Sequence, residues 1–353
     1  MKRILALLLA LVMALSMAAC GGAEKAAVTT ETTAAPTAAV ETTAATEASH
    51  YPLTLTDQAG REVTIEEEPE AIVSGYYIST SALIALGQKD KLVGIEAKAE
   101  KRAIYKLSAP ELIDLPNVGT AKEFDLEGCA ALEPDLVILP MKLKEAAATL
   151  DGLGIPVILV NPESRELLTE AIDLMAKALN CEDAAQALFS FTQSQQANLE
   201  ESLKDAEKPS VYLAGNSAFL STAGSKMYQS DLIDLAGGVN VAAGLEDTYW
   251  VEVDYEQVLA WNPDYIILAS DASYTVDDVL ADPNLADCAA VVNGRVYQMP
   301  SKAEAWDSPV PGGILGAAWL ASRLHPETVS EESCNAVIDE FYETFYGFVY
   351  SES

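Results

Sequence analysis

The fold is decided by a thirteen-residue block that occurs twice, as Glu127-Gly-Cys-Ala-Ala-Leu-Glu-Pro-Asp-Leu-Val-Ile-Leu139 and as Glu256-Gln-Val-Leu-Ala-Trp-Asn-Pro-Asp-Tyr-Ile-Ile-Leu268. Each copy predicts an acidic residue in the first turn of a short helix, then a Pro-Asp turn and a buried strand. The copies start 129 residues apart, so each belongs to its own half of the chain. The repeat therefore predicts two related α/β lobes.

Further short apolar runs alternate with helix-like segments around both copies, as expected for parallel strands covered on both faces. They are Ala71-Ile-Val-Ser74, Leu92-Val-Gly-Ile95, Pro156-Val-Ile-Leu-Val160, Ser210-Val-Tyr-Leu213 and Arg295-Val-Tyr-Gln298. Residues 165–208 contain neither Gly nor Pro and carry apolar residues at helical spacing. They predict one long helix, or two helices separated near Asn180. We therefore predict an α/β fold of two Rossmann-like lobes joined by a long α-helix, with a ligand cleft between the lobes.

The composition of the chain excludes several classes of function. Its 353 residues carry 21 basic and 54 acidic side chains, a formal net charge of −33. A field of that sign repels nucleic acid and anionic membrane surfaces. Two histidines cannot form a His-rich metal cage. Nucleophile-elbow, zinc-protease, phosphate-loop and Cys-x-x-Cys patterns are missing from the sequence, so we predict no enzymatic activity and no catalytic residue. A hydrolase with scattered carboxylates is the least favoured alternative.

The N-terminus has the pattern of an export signal. Lys2 and Arg3 precede an apolar run, Ile4–Leu15, which is shorter than the about 20 residues that a membrane span needs. Small residues before Cys20 resemble a bacterial lipobox, with Met17 where leucine is usual, and the resemblance implies lipidation of Cys20. The alternative is an ordinary secretory peptide cleaved near Ala19.

The predicted organisation follows from these segments. After a signal peptide at 1–19, an Ala- and Thr-rich tether at 20–49 lacks the aromatic and periodic apolar residues of a core. The N-terminal lobe is expected at 50–164, the connecting helix at 165–208 and the C-terminal lobe at 209–353. The four remaining cysteines are predicted to be unpaired and mostly buried, in preference to a disulfide framework; they are Cys129, Cys181, Cys288 and Cys334.

Between residues 55 and 348, several motifs outside the repeat occur in the order in which one family of proteins carries them. They are Asp57-Gln-Ala-Gly-Arg-Glu-Val63, Ala82-Leu-Ile-Ala-Leu-Gly87 with Asp90-Lys-Leu-Val-Gly94, Leu115-Pro-Asn-Val-Gly119, Leu235-Ala-Gly-Gly-Val-Asn240, Val292-Asn-Gly-Arg-Val-Tyr297 and Trp319-Leu-Ala with His325-Pro326. Together they resemble the periplasmic binding proteins that deliver iron–siderophores, haem and cobalamin to ABC importers.

This resemblance implies a monomeric, extracytoplasmic substrate-binding protein, held to the cell membrane by the Cys20 lipid. It would capture a metal chelate, with a ferric siderophore as the first expectation, and deliver it to an ABC permease dimer with its ATPase. Haem, a corrinoid or a molybdate-like oxyanion are alternative ligands, and a ligand-sensing lipoprotein without a transporter is a second alternative. The metal would arrive within the ligand, so no cofactor and no direct metal ligand is expected.

Ligand-binding residues are expected beyond the carboxyl ends of the strands, where open α/β sheets bind their ligands. Seven of the 18 basic residues after residue 49 lie between Lys98 and Lys144, which indicates a basic rim for an anionic ligand; a solvated helix face is the alternative. Aromatic residues of the second half suit a flat or macrocyclic ligand, or else pack against their own lobe. The predicted ligand-binding residues are Tyr76, Tyr77, Lys98, Arg102, Lys142, Asn216, Tyr228, Trp250, Trp306 and Asp307.

Glu127 and Glu256 hold matching places in the two copies of the block. The resemblance implies that acidic residues at these places face the permease. The alternative is that each only complements its helix dipole. Asp125 and Asp254, two residues earlier, are predicted to be the helix N-caps, which would leave the glutamates free to point outward.

Overall fold

The structure is a computed structural model, and it describes residues 49–246 and 250–353. The predicted signal peptide, Cys20 and all of the predicted tether except Ser49 lie outside these ranges. Within them, no helix combines the length and the apolar character that crossing a membrane requires.

The N-terminal lobe is built on a parallel sheet of four strands in the order β4-β3-β5-β6, preceded by the antiparallel hairpin β1-β2. Its elements are β1 Leu53–Thr56, β2 Glu62–Ile65, β3 Ile72–Ser74, α1 Tyr77–Ala85, β4 Leu92–Ile95, α2 Ala103–Ser108, α3 Leu126–Ala131, β5 Leu136–Pro140, α4 Lys144–Gly152 and β6 Val157–Val160. All the residues of β5 and β6 are buried, as the continuous apolar runs predict for strands covered on both faces.

Two helices, α5 Arg165–Ala178 and α6 Glu182–Leu203, follow the N-terminal lobe. The chain turns between them at Asn180, whose φ of 52° is left-handed. Of the two predictions, two helices is therefore correct, and the interruption lies where it was expected.

The C-terminal lobe carries a mixed sheet in which β9, β7, β11 and β12 run parallel, while β8 pairs antiparallel with β7 and with β10. Its elements are β7 Ser210–Ala214, β8 Ser221–Thr222, α7 Tyr228–Leu235, β9 Val239–Asn240, β10 Val251–Glu252, α8 Tyr255–Trp261, β11 Tyr265–Leu268, α9 Val276–Leu280, α10 Ala289–Val292, β12 Val296–Gln298, α11 Gly313–Leu324 and α12 Glu331–Tyr346.

The repeated block forms the same structure in both lobes. Asp125 and Asp254 are the N-caps of α3 and α8, each accepting from the backbone N–H three residues later at 2.9 and 2.8 Å. The aspartates of the two Pro-Asp turns, Asp135 and Asp264, each accept backbone N–H groups where the neighbouring strand begins, beside β3 and at β7. Each block therefore caps its own helix and fixes the adjacent strand, as the shared sequence predicts.

The lobes share their largest hydrophobic cluster, which extends from α1 and β3 through α5 and α6 to α11 and α12. α6 contacts α5 on one side and both α7 and α11 on the other, so it is the helix that bridges the lobes. Phe191 of α6 packs against Phe341 of α12 with ring centroids 5.4 Å apart, and α12 also contacts α1. This continuous core places the carboxyl ends of the two sheets beside one cleft.

Candidate functional site: the cleft between the lobes

A cavity of about 150 Å³ lies between the lobes, beyond the carboxyl ends of β3 and β4 on one side and of β11 and β12 on the other. A hydrogen bond from the backbone N–H of Ile104 to the carbonyl oxygen of Ala303 joins the lobes beside it, at 3.1 Å. The polar and charged side chains that line this cavity are Tyr77, Ser81, Lys101, Arg102, Tyr105, Asp271, Ser301, Glu304 and Ser308. We call it the Arg102 cavity.

Arg102 reaches the cavity from a break in the chain. A 3-10 turn, Ala99–Lys101, ends at Arg102, whose backbone is extended before α2 begins. The half-buried guanidinium lies over the ring of Tyr77, 4.1 Å from its centroid, a cation–π contact. Ser308, from the opposite lobe, lines the same cavity as Tyr77. Burial raises the pKa of Tyr77, so this residue is neutral and Arg102 keeps its charge available to a ligand.

The basic rim differs from the other basic residues of the protein. None of the seven basic residues from Lys98 to Lys144 forms an ion pair with a carboxylate in residues 49–246 and 250–353, whereas eight of the other eleven do. Acidic residues outnumber basic ones in this chain, so most cations have a carboxylate within reach. The seven rim cations have no described carboxylate within ion-pair distance, because the fold positions them away from carboxylates. The rim therefore carries positive charge that no described carboxylate pairs with, and two of its residues, Lys101 and Arg102, line the cavity.

Glu304 carries a buried carboxyl group into the wall of the same cavity. Its side chain comes from the loop after β12 and accepts a hydrogen bond from Ser81 of α1, across the lobe boundary. The Ser81 hydroxyl also lies 2.9 Å from the hydroxyl of Tyr346 on α12. The second carboxyl oxygen, Oε2, is buried and has no hydrogen-bond partner among the described residues. Burial raises the pKa of Glu304 to about 7, although Ser81 and the Arg102 charge oppose that shift.

A second buried acid supports the first-lobe wall. Glu96, directly after β4, accepts from the hydroxyl of Tyr105 at 2.6 Å and from that of Thr80 at 2.7 Å. Burial raises the pKa of Glu96, and these two hydrogen bonds limit the shift. The arrangement fixes α2 against α1, and Arg102 directly precedes α2.

Of the predicted ligand-binding residues of the first lobe, the structure brings Tyr77 and Arg102 together in the cavity. Tyr76 is half-buried and packs edge-on against Tyr77 with ring centroids 5.3 Å apart. Lys98 and Lys142 are exposed at the same edge of the sheet, after β4 and β5, but they do not line the cavity. Whether any of these residues binds ligand stays a prediction.

Two predicted residues of the second lobe do not face the cleft. Trp306 is only 1% exposed, because its loop folds back onto α12, where its indole N–H donates to the hydroxyl of Tyr342 at 2.9 Å. The next residue, Asp307, is also buried and accepts from the backbone N–H of Ser270 at 3.1 Å. The structure therefore does not bring these two side chains to the cavity, and their contact with ligand stays an untested prediction; here they hold the loop that presents Glu304.

The other predicted residues of the second lobe lie outside the cavity as well. Tyr228 is buried with its hydroxyl against Gly313, where a Cβ atom would lie only 1.9 Å from that oxygen. It lines a separate groove of about 420 Å³ between α5, α6 and the start of α11. Asn216 is exposed after β7, and the half-buried indole of Trp250 covers Gly215 at the same strand end. Asn216 and Trp250 therefore flank the cleft, while Tyr228 belongs to a different surface.

Sequence reasoning missed Ser81, Asp271, Ser301, Glu304 and Ser308, all of which line the cavity. One signal was present: α1 is buried along almost its whole length, yet it contains Ser79, Thr80 and Ser81 in succession. Buried hydroxyls favour polar partners. Thr80 and Ser81 donate to the buried carboxyls of Glu96 and Glu304, while Ser79 Oγ has no hydrogen-bond partner among the described residues.

Glu127 and Glu256 are exposed in the first turns of α3 and α8. Because Asp125 and Asp254 cap those helices, neither glutamate is needed as a cap. The four described cysteines are free, and Cys129, Cys288 and Cys334 are buried, as predicted. Over the described ranges, no three His, Cys, Asp or Glu side chains are grouped so that they could hold a metal ion.

Comparison with known proteins identifies the family. The model of the periplasmic binding protein family matches residues 72–303. The molybdate-binding protein MolA of Haemophilus influenzae is 25% identical over 319 residues, 83% of this chain and 90% of its own. The ABC transporter substrate-binding lipoprotein YvrC of Bacillus subtilis is 26% identical over 80% of this chain and 88% of its own.

The fold agrees with that assignment. A periplasmic solute-binding protein from Veillonella parvula superposes with a TM-score of 0.74 at 28% identity, covering 84% of this chain and 93% of its own. Proteins of this family act outside the cytoplasm and bind small molecules. The chain therefore belongs to the periplasmic binding protein family, and it is a substrate-binding protein of an ABC transporter.

Proposed function

We propose that this protein captures a compact anion in the Arg102 cavity and delivers it to the permease of an importer. The observation that supports this proposal most strongly is the half-buried guanidinium of Arg102, which has no carboxylate partner in the described residues and faces a cavity between the lobes. A guanidinium offers several N–H donors in one plane, a geometry that suits carboxylate and oxyanion oxygens.

The size of the cavity favours a compact ligand. At about 150 Å³ it is smaller than the about 300–1,000 Å³ of pockets that enclose drug-sized molecules. A molybdate-like oxyanion fits this volume, and the name of the Haemophilus relative specifies molybdate. Ser301 and Ser308 add hydroxyl groups to the lining, and these can donate to ligand oxygens. On this reasoning the oxyanion takes first place among the ligands considered from the sequence.

A ferric siderophore is the second candidate. Lys98, Lys142 and Trp250 lie around the cleft outside the cavity, and they provide positive charge and an aromatic surface over a wider area. A siderophore would use this wider rim only if the lobes stood further apart than they do here. Haem or a corrinoid would also require the lobes to stand further apart.

Two further assignments complete the proposal. Glu127 and Glu256, one exposed glutamate on each lobe, would engage equivalent basic pockets on the two halves of a permease dimer. Lipidation of Cys20 and the Ala- and Thr-rich tether would hold a monomeric binding unit at the outer face of the cell membrane.

Isothermal titration of the full-length protein with molybdate, sulfate, a ferric siderophore, haem and cobalamin tests the ligand class. We expect molybdate to bind one to one, and Arg102→Gln to weaken this binding by about 1–3 kcal/mol. Lys204→Gln is the matched control, because Lys204 is an exposed cation directly after α6 that pairs with Glu201. Tight binding of cobalamin or the siderophore that survives Arg102→Gln would overturn the proposal.

A further inference from the structure

A buried acid, Glu304, and a cation without an ion-pair partner among the described residues, Arg102, line one small cavity, and each comes from a different lobe. Glu304 is 7% exposed, and its Oε2 atom has no partner in the described part of the chain. The Ser81 hydroxyl, which bonds the other oxygen, is neutral. The protonation state of Glu304 is therefore not fixed by an ion pair, and it decides the net charge of the cavity wall.

Among the groups that surround Glu304, Arg102 is the cation whose charge acts on it. Tyr77 of α1, Tyr228 of α7 and the α12 residues Tyr342 and Tyr346 are all near enough to feel its charge, and burial raises the pKa of each above its ordinary value, so all are neutral. The remaining charged groups of the cavity lining are Asp271 and Lys101, and both are exposed to solvent.

We propose that anion binding at Arg102 is coupled to the uptake of one proton by Glu304. The inference rests on the proposed anion site. When Glu304 is ionised, its charge opposes the positive potential of Arg102 and repels an incoming anion at short range. When Glu304 is protonated, Arg102 acts alone, and the carboxylic acid leaves the buried wall neutral. Because linkage is reciprocal, a bound anion must also raise the proton affinity of Glu304.

The coupling predicts how affinity changes with pH. Burial gives Glu304 a pKa of about 7, so both forms are populated near neutrality. If only the protonated form is competent to bind, the apparent Kd is the intrinsic Kd divided by the protonated fraction. Above that pKa the protonated fraction falls about tenfold for each pH unit, and the apparent Kd rises by the same factor. Glu304 therefore makes the receptor most effective in mildly acidic surroundings.

The test uses the full-length protein with molybdate as the probe, titrated calorimetrically between pH 6 and pH 9 in two buffers of different ionisation enthalpy. For the wild type we expect Kd to rise about tenfold per pH unit above pH 7, with about one proton taken up per anion bound. Glu304→Gln should bind with a flat profile and no proton uptake. Because both proteins bind the same ligand, any slope that molybdate itself causes would persist in the variant. Asp271→Asn, the other carboxyl of the lining, should keep the slope.

Each outcome separates this inference from the function on which it rests. Molybdate that fails to bind at any pH overturns the proposed anion site and the coupling with it. Binding that is independent of pH in the wild type, or that has the same slope in Glu304→Gln, overturns the coupling alone. If Glu304→Gln does not fold, the wild type still decides through its proton count, and zero proton uptake at pH 8 would refute the proposal.

Discussion

The buried carboxyl of Glu304 makes the stability of this protein depend on pH in a specific direction. The pKa of Glu304 is about 7 in the folded state, against an ordinary value of 4.5 in the unfolded chain. A raised folded pKa favours the folded state fully below pH 4.5, and this contribution is lost as the pH rises through 7. Replacing Glu304 with Gln removes the ionisation but keeps an oxygen that can accept from Ser81.

The size of the effect follows from the two pKa values. Each pKa unit corresponds to about 1.4 kcal/mol, so Glu304 should cost the wild type about 3 kcal/mol of unfolding free energy between pH 4.5 and pH 8. The pKa values of Glu96 and Asp307 are also raised by burial, but these residues are present in both proteins and cancel in the comparison. Glu304→Gln should therefore gain about 3 kcal/mol relative to the wild type over this range.

Urea unfolding of both proteins at pH 5, 6, 7 and 8 measures the difference directly. Glu163→Gln, which removes an exposed carboxyl from the loop after β6, is the matched control and should follow the wild type. A constant difference between wild type and Glu304→Gln at all four pH values would refute the assignment of Glu304 as a neutral buried acid.

Four other predictions test separate parts of the account. Cys20→Ala should release the protein into the medium, because stable anchoring needs the acyl chains; a variant that stays in the membrane fraction would contradict the lipobox. Arg102→Ala should weaken anion binding by about 1–3 kcal/mol, whereas Lys142→Ala, outside the cavity, should have a smaller effect in the same titration. Replacing Glu127 and Glu256 together with Arg should abolish uptake through the cognate permease and leave ligand affinity intact; normal uptake would remove the docking role. Trp306→Ala should lower the unfolding free energy by about 3–5 kcal/mol in urea, because this indole fills the core beside α12, and a change below 1 kcal/mol would be inconsistent with its burial.

The fold was largely predictable from the sequence, because its information is local and repeated. The thirteen-residue block encodes a helix start, a turn and a buried strand in adjacent residues, and all three are present in both lobes. The strands β8, β9 and β10 have two residues each and were not predicted. Two residues are too few to show periodicity, and these strands depend on pairing with distant segments.

The site was predictable only in part, because it depends on how the two lobes meet. Arg102 and Tyr77 follow neighbouring strands of one sheet, so the strand-end rule places both at the cleft. Trp306 and Glu304 lie in the same loop, and no sequence pattern determines which of its side chains turns toward α12 and which toward Arg102. The structure places the aromatic residue in the core and leaves the acid in the cavity wall, opposite to the expectation for a Trp in a cleft.

Native mass spectrometry of the protein purified from its own cells, combined with metal analysis, tests the central claim most directly. We expect one bound anionic species per chain, lost in Arg102→Gln and retained in Lys204→Gln. A ligand that stays bound to Arg102→Gln, or one that carries no negative charge, would contradict the assignment of the Arg102 cavity as the site where this protein holds its substrate.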